Sequence, residues 1–240
     1  MKIFLLISFC LLLFGNTSFC QQSNDNNSIE QENQLKKMYL NYVGAQASIY
    51  NGRQYIPYHF LKEGHPFFLS DTLSDAWISY EGNIYNIPMQ YDVARDQVII
   101  SNLAGGTRIF LQNERIDSFH FLNHTFLRLI QNPNENLENT GFYDVLYKGN
   151  VVVLAFRKKS FTESIQASKV VRYFNTQDRF FILKNGKYHP VKNEREVFEI
   201  LEGNRNEIKK LLRRQGLKFR KSKFENALIM AATISDQSKH

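Results

Sequence analysis

The chain has 240 residues, a formal net charge of +7 and an apolar fraction of 43% that includes 20 Phe and 12 Tyr, enough to fill one large domain or two small ones. Its two cysteines, Cys10 and Cys20, lie at the start, so a chain cut after Cys20 has no disulfide framework, thiol nucleophile or thiolate metal site. No apolar run reaches the roughly 20 residues that a membrane-crossing helix needs.

Met1-Lys2 opens with one positive charge, runs through apolar residues to Phe14, and continues with small and polar residues to Cys20. That pattern predicts a secretory signal peptide over 1–20, hence an exported chain in the periplasm or the medium, with no transmembrane segment after cleavage. Ser18 and Cys20 suit a cut before Gln21. Lipid attachment at Cys20 is the alternative, disfavoured by bulky Phe19 before the cysteine and Thr17 where an aliphatic residue is expected. Residues 21–45 read as a polar, Asn-rich tail followed by a helix with Leu35, Met38, Tyr39 and Tyr42 at helical spacing.

Residues 46–191 predict an antiparallel β domain. Ile84 to Val93 reads as one strand, with Tyr85, Ile87, Met89, Tyr91 and Val93 on one face and Asn86, Gln90 and Asp92 on a wet face. Tyr50-Asn51-Gly52, Tyr80-Glu81-Gly82, Tyr147-Lys148-Gly149 and Lys184-Asn185-Gly186 each predict a tight reversal. Gln131–Thr140 predicts a mobile surface loop, and Ser160–Ser168 a second connector.

After Val191 the apolar period changes to that of a helix. Asn193 with Glu196, Asn204 with Glu207 and Ser222 with Glu225 each place a capping side chain three residues before a Glu, and Gly203 and Gly216 mark stops. The expected fold is therefore mainly β (α+β): an antiparallel meander, curved into a sandwich or an open barrel, with a short helical subdomain over 192–240. The runs Tyr80-Glu81-Gly82-Asn83-Ile84-Tyr85, Gln90-Tyr91-Asp92-Val93 and Gly141–Gly149, followed by basic capped helices at 193–224, resemble a group of uncharacterised exported proteins of Bacteroidota. The resemblance implies a bacterial cell-envelope protein and no assigned activity.

No phosphate-binding loop, nucleophile elbow, dinucleotide fingerprint or zinc motif is present, so no cofactor is assigned and a binding protein ranks ahead of an enzyme. Three weak catalytic candidates stand out. Asp92 and Asp144 share the context Tyr-Asp-Val and would serve as an acid and base pair if about 5–9.5 Å apart. His120 is four residues from His124, but a strand-like alternation there argues against converging imidazoles and no metal is assigned. For the two aspartates, the wet side of a strand is the simpler reading.

Charge is the strongest signal. From Arg205 to Lys223 nine cations face one carboxylate. Within that run Lys209, Lys210, Arg213, Arg214, Lys218, Arg220 and Lys221 form a candidate contact for an anionic surface, unless they are simply the solvated side of a helix whose apolar side is Ile208, Leu211 and Leu212. Export disfavours nucleic acid as the partner. The sequence thus points to an envelope protein that binds a partner protein or an apolar ligand such as a lipid, and as the alternative to a hydrolase of an envelope polymer.

Overall fold

The computed structural model describes residue 35 and residues 48–60, 62–102, 106–166, 169–201 and 205–237. The expected signal peptide and cut before Gln21, and nearly all of the expected polar tail and helix, lie outside the described residues. Every element named below belongs to the unit Ala45–His240.

Among the described residues, three sheets carry the fold. The largest has eight strands in the order β15-β14-β11-β10-β9-β8-β3-β4: β3 (Ala76–Tyr80), β4 (Asn83–Asn86), β8 (Ile116–Phe121), β9 (His124–Leu129), β10 (Gly141–Lys148), β11 (Val152–Phe156), β14 (Arg179–Lys184) and β15 (Lys187–Val191). A four-stranded sheet runs β1 (Arg53–Gln54), β7 (Arg108–Phe110), β6 (Gln97–Ser101), β5 (Met89–Asp92). The third runs β12 (Lys159–Gln166), β13 (Lys169–Thr176), β2 (Lys62–Glu63). Pairing is antiparallel except between β13 and β2, and no sheet closes into a barrel. The antiparallel, helix-terminated architecture expected from the sequence is present.

Three of the four glycine turns lie at the expected reversals. Glu81 and Gly82 join β3 to β4, and Asn185 and Gly186 join β14 to β15, each with φ between 51° and 73° as a primed turn requires. The third reversal, through Gly149, joins β10 to β11 with Lys148 opposite Val152, whereas Gly52 stands between a 3-10 turn and β1, and both of these glycines answer to packing. A Cβ on Gly52 would stand 2.5 Å from the Phe110 carbonyl oxygen, and one on Gly149 would collide with the Asp236 carboxylate.

The run 84–93 is not one strand. Ile87-Pro88 carries the chain out of β4, at one edge of the large sheet, into β5 of the four-stranded sheet. β5 is buried on both faces, with Gln90 and Asp92 at 0% exposure, so the expected wet face does not exist there. Ser160–Ser168 is likewise mostly strand β12 rather than a connector. The polar loop 131–140 is pinned to the large sheet by Leu137, which is buried against Tyr143, Leu154 and Phe181.

Strand alternation gives the large sheet two different faces. Ile78, Phe119, Phe126 and Asp144 lie in one cross-strand row on the inner face, where Phe126 and Phe119 meet Tyr91 of β5 and Phe126 also meets Phe68. Trp77, His120 and Thr125 form the neighbouring row on the outer face.

Farther along the inner face, Val153 and Ile182 pack against helices α1 (Glu194–Ile200), α2 (Arg205–Arg214) and α3 (Phe224–Gln237). Asn193 caps α1 as expected: its carboxamide oxygen accepts from the Glu196 amide, and the Glu196 carboxylate reaches back to the Asn193 side-chain amide and to the Lys192 amide, one residue before the donor that the standard box uses. α2 stops as expected, with Leu217 N–H on the Leu212 carbonyl and Gly216 N–H on that of Arg213. Asn204 and Gly203 lie outside the described residues.

Candidate functional site

Asp144 is fully buried in mid-strand β10, and the sheet register explains its company. His124 on β9 and Arg157, just beyond the end of β11, share its face at diagonal positions on the two neighbouring strands. Their hydrogen bonds to Asp144 all converge on Oδ2: Arg157 Nε at 2.9 Å and Nη2 at 2.6 Å, and His124 Nδ1 at 2.8 Å. Oδ1 has no hydrogen-bond partner among the described residues.

Arg157 reaches two further carboxylates. Its Nη1 donates to Asp178 (2.7 Å), on the turn between β13 and β14, and to Glu225 Oε2 (2.6 Å), in the first turn of α3, while Nη2 also donates to Glu225 Oε1 (3.0 Å). The five N–H groups of a guanidinium are matched by five contacts. Burial pulls this arginine's pKa down, but the hydrogen bond to Glu225 and the charge of Asp144 outweigh that and hold it above its ordinary value. Glu225 therefore does not close a capping box with Ser222: Ser222 stands in a 3-10 turn, and the carboxylate is taken by Arg157.

α3 is fastened at its other end as well. Asp236 accepts from Tyr147 Oη (3.0 Å) and from the Asn150 amide (2.7 Å), which is why Gly149 can carry no side chain.

A cleft of about 310 Å³ opens beside this network, with His65, Phe68, His124, Arg157, Lys159 and Glu225 among its walls. Lys159 Nζ donates to the carbonyls of His65 (3.0 Å) and Phe67 (2.6 Å), and burial lowers its pKa. Burial also lowers that of His65.

Of the sequence candidates, Asp144 alone enters this cluster. His120 lies on the opposite face of the sheet, its Nδ1 3.0 Å from Thr125 Oγ1, so the His120 and His124 imidazoles point apart. Asp92 has its own partners, the hydroxyls of Tyr55 and Tyr58 at 3.2 Å each and the amides of Ala94 and Arg95 at 3.0 Å each. None of Asp92, Asp144 and His120 lines this cleft or the larger one at the ends of β14 and β15.

Burial raises the Asp92 pKa, against the hydrogen bonds and the charge of Arg95, which lower it. A buried acid that holds its proton more tightly than the unfolded chain adds stability below the unfolded value near 3.8, and that stability is lost as pH rises through the folded value. Urea unfolding of the native protein and Asp92→Asn at pH 7 and pH 4 is expected to shift in the native protein's favour at the lower pH. A shift the other way would mean that the hydrogen bonds outweigh burial.

The larger cleft, about 850 Å³, lies at the ends of β14 and β15 below the α2–α3 connection. Phe180, Phe219 and Phe224 form an aromatic wall, with ring centroids 5.2 Å apart for Phe180–Phe224 and 5.8 Å for Phe219–Phe224. Lys158, Arg179, Lys192 and Arg220 stand on its lining against two carboxylates, Glu138 and Asp178, the second already bound by Arg157. No signal in the sequence united these residues, since the cleft joins five separate stretches of chain.

The basic run divides. Lys209 is engaged, 2.7 Å from Glu194 and over the Phe198 ring, whereas Lys210, Arg213, Arg214 and Lys218 are exposed along α2 and the segment after it. Arg220 enters the larger cleft and Lys221 begins the 3-10 turn. Ile208 and Leu212 are buried, as the apolar side of α2 requires. No protein family, curated protein or solved structure matches the chain.

Proposed function

We propose that this is an exported, non-enzymatic binding protein of the cell envelope whose ligand is an amphipathic anion, an apolar chain with an acidic head. The observation that carries this reading is the larger cleft, where an aromatic wall and four cations line one open space. Its volume falls within the roughly 300–1,000 Å³ of small-molecule sites. The apolar chain lies against Phe180, Phe219 and Phe224, and the acidic head meets Arg220, Lys192 and their neighbours. The exposed cations of α2 lead along the chain to Arg220, so contact with an anionic membrane surface and uptake of a ligand from it draw on one continuous segment.

Titration calorimetry with oleate and with oleyl alcohol tests the reading. Lys192→Gln/Arg220→Gln is expected to weaken oleate binding roughly tenfold or more, about 1.4 kcal/mol, while leaving the alcohol unchanged. Phe219→Ala is expected to weaken both. Failure of the native protein to bind either would sink the proposal. Hydrolysis of an envelope polymer is the second reading, and the observation favouring it is the His124–Asp144 pair, with His124 facing the smaller cleft.

A further inference from the structure

Among the described residues β12 ends the three-stranded sheet, with β13 on one side only. Its eight residues pair with β13 in unbroken register, without bulge or proline, so the free edge is straight and long. Natural sheets guard such an edge with short strands, prolines, bulges or charges. Here Phe161, Glu163 and Ile165 lie on one face of the hairpin and Ser160, Thr162 and Ser164 on the other. Phe161 is 43% exposed and Ile165 78%.

We propose that β12 pairs antiparallel with β12 of a second copy of this chain, making an isologous dimer with a continuous six-stranded sheet. The strand is complementary to itself in one register. With Glu163 on the two-fold axis, Phe161 faces Ile165 of the other copy and Thr162 faces Ser164, so the apolar and hydroxyl faces both match. A shift by one residue places apolar side chains opposite the hydroxyl face, and a shift by two sets Phe161 or Ile165 against Glu163. The cost of this register is the meeting of the two Glu163 carboxylates. Each is already bound by the Arg172 beside it on β13, at 2.7 Å from both Nε and Nη2, and the row across the interface is neutral.

Sedimentation equilibrium of the purified full chain tests the pairing. The native protein is expected to shift from monomer to dimer with rising concentration. Ile165→Lys, at an exposed position that leaves folding intact, is expected to weaken the dimer at least tenfold, and Glu163→Gln to strengthen it several-fold by removing the like-charge meeting. A native protein that is monomeric up to roughly 1 mM would overturn the proposal. So would a dimer indifferent to both substitutions, or open-ended association in place of a closed pair.

Discussion

Arg157→Met is expected to cost about 3–5 kcal/mol of folding stability, the range for breaking a buried ion pair by removing one partner. The native guanidinium is 7% exposed and answers three carboxylates, one of them fully buried. Methionine fills much of the same volume but supplies no donor, leaving Asp144 with only His124 on Oδ2 and nothing on Oδ1 among the described residues. Arg157→Lys is expected to recover little, because an ammonium offers three donors from a single point where five are used over a planar fork. Urea unfolding measures both variants.

The location of the damage is a second readout. Arg157 ties the large sheet to the first turn of α3 through Glu225, whereas Asp236 ties the last turn of α3 to the β10–β11 turn. Loss of Arg157 is therefore expected to raise amide exchange first at the start of α3, with the Asp236 end following. Uniform exchange along α3 would show that helix packing against Val153 and Ile182, rather than the ion network, sets the local stability.

Legibility in the sequence followed the range of the interactions concerned. The Asn193 cap and the Glu81-Gly82 and Asn185-Gly186 hairpins were readable because each depends on residues two to three apart. Ser222-x-x-Glu225 had the same local form, yet Glu225 is claimed by an arginine 68 residues away, and nothing nearby in the chain records that competition. The strand pattern at 84–93 was misleading for a similar reason. Its alternation is real, but Pro88 marks the passage between two sheets, and the polar residues of β5 face protein instead of water.

Asp92 and Asp144 were legible as unusual residues but not as buried ones. Their partners come from Tyr55, 37 residues before Asp92, and from Arg157, 13 residues after Asp144 on the next strand. Arg157 itself, in Phe156-Arg157-Lys158-Lys159, has the look of a basic strand end bound for solvent. Only the antiparallel register of β9, β10 and β11 turns His124 and Arg157 onto the face of Asp144. The larger cleft was illegible because its aromatic wall draws on β14 and the α2–α3 segment, which no periodicity links.

Phe126→Ala is expected to cost a further 3–5 kcal/mol or so, the range for emptying a buried aromatic position. Phe126 is fully buried, its ring stacked at 4.7 Å on Phe119 and meeting Phe68 at 5.1 Å and Tyr91 at 5.2 Å. Those neighbours come from both β sheets that meet at this core, so the cavity falls where the large sheet rests on the four-stranded one and neither can close it alone. Trp77→Ala is the informative companion. It removes a larger ring from the outer face of the same sheet, but that side chain is 55% exposed, and the loss is expected to stay near 0.5 kcal/mol. Unfolding both variants in urea compares the two faces directly. A loss at Trp77 approaching that at Phe126 would mean that the outer face is covered in solution, and the Trp77–His120–Thr125 row would then be an interface instead of a solvated surface.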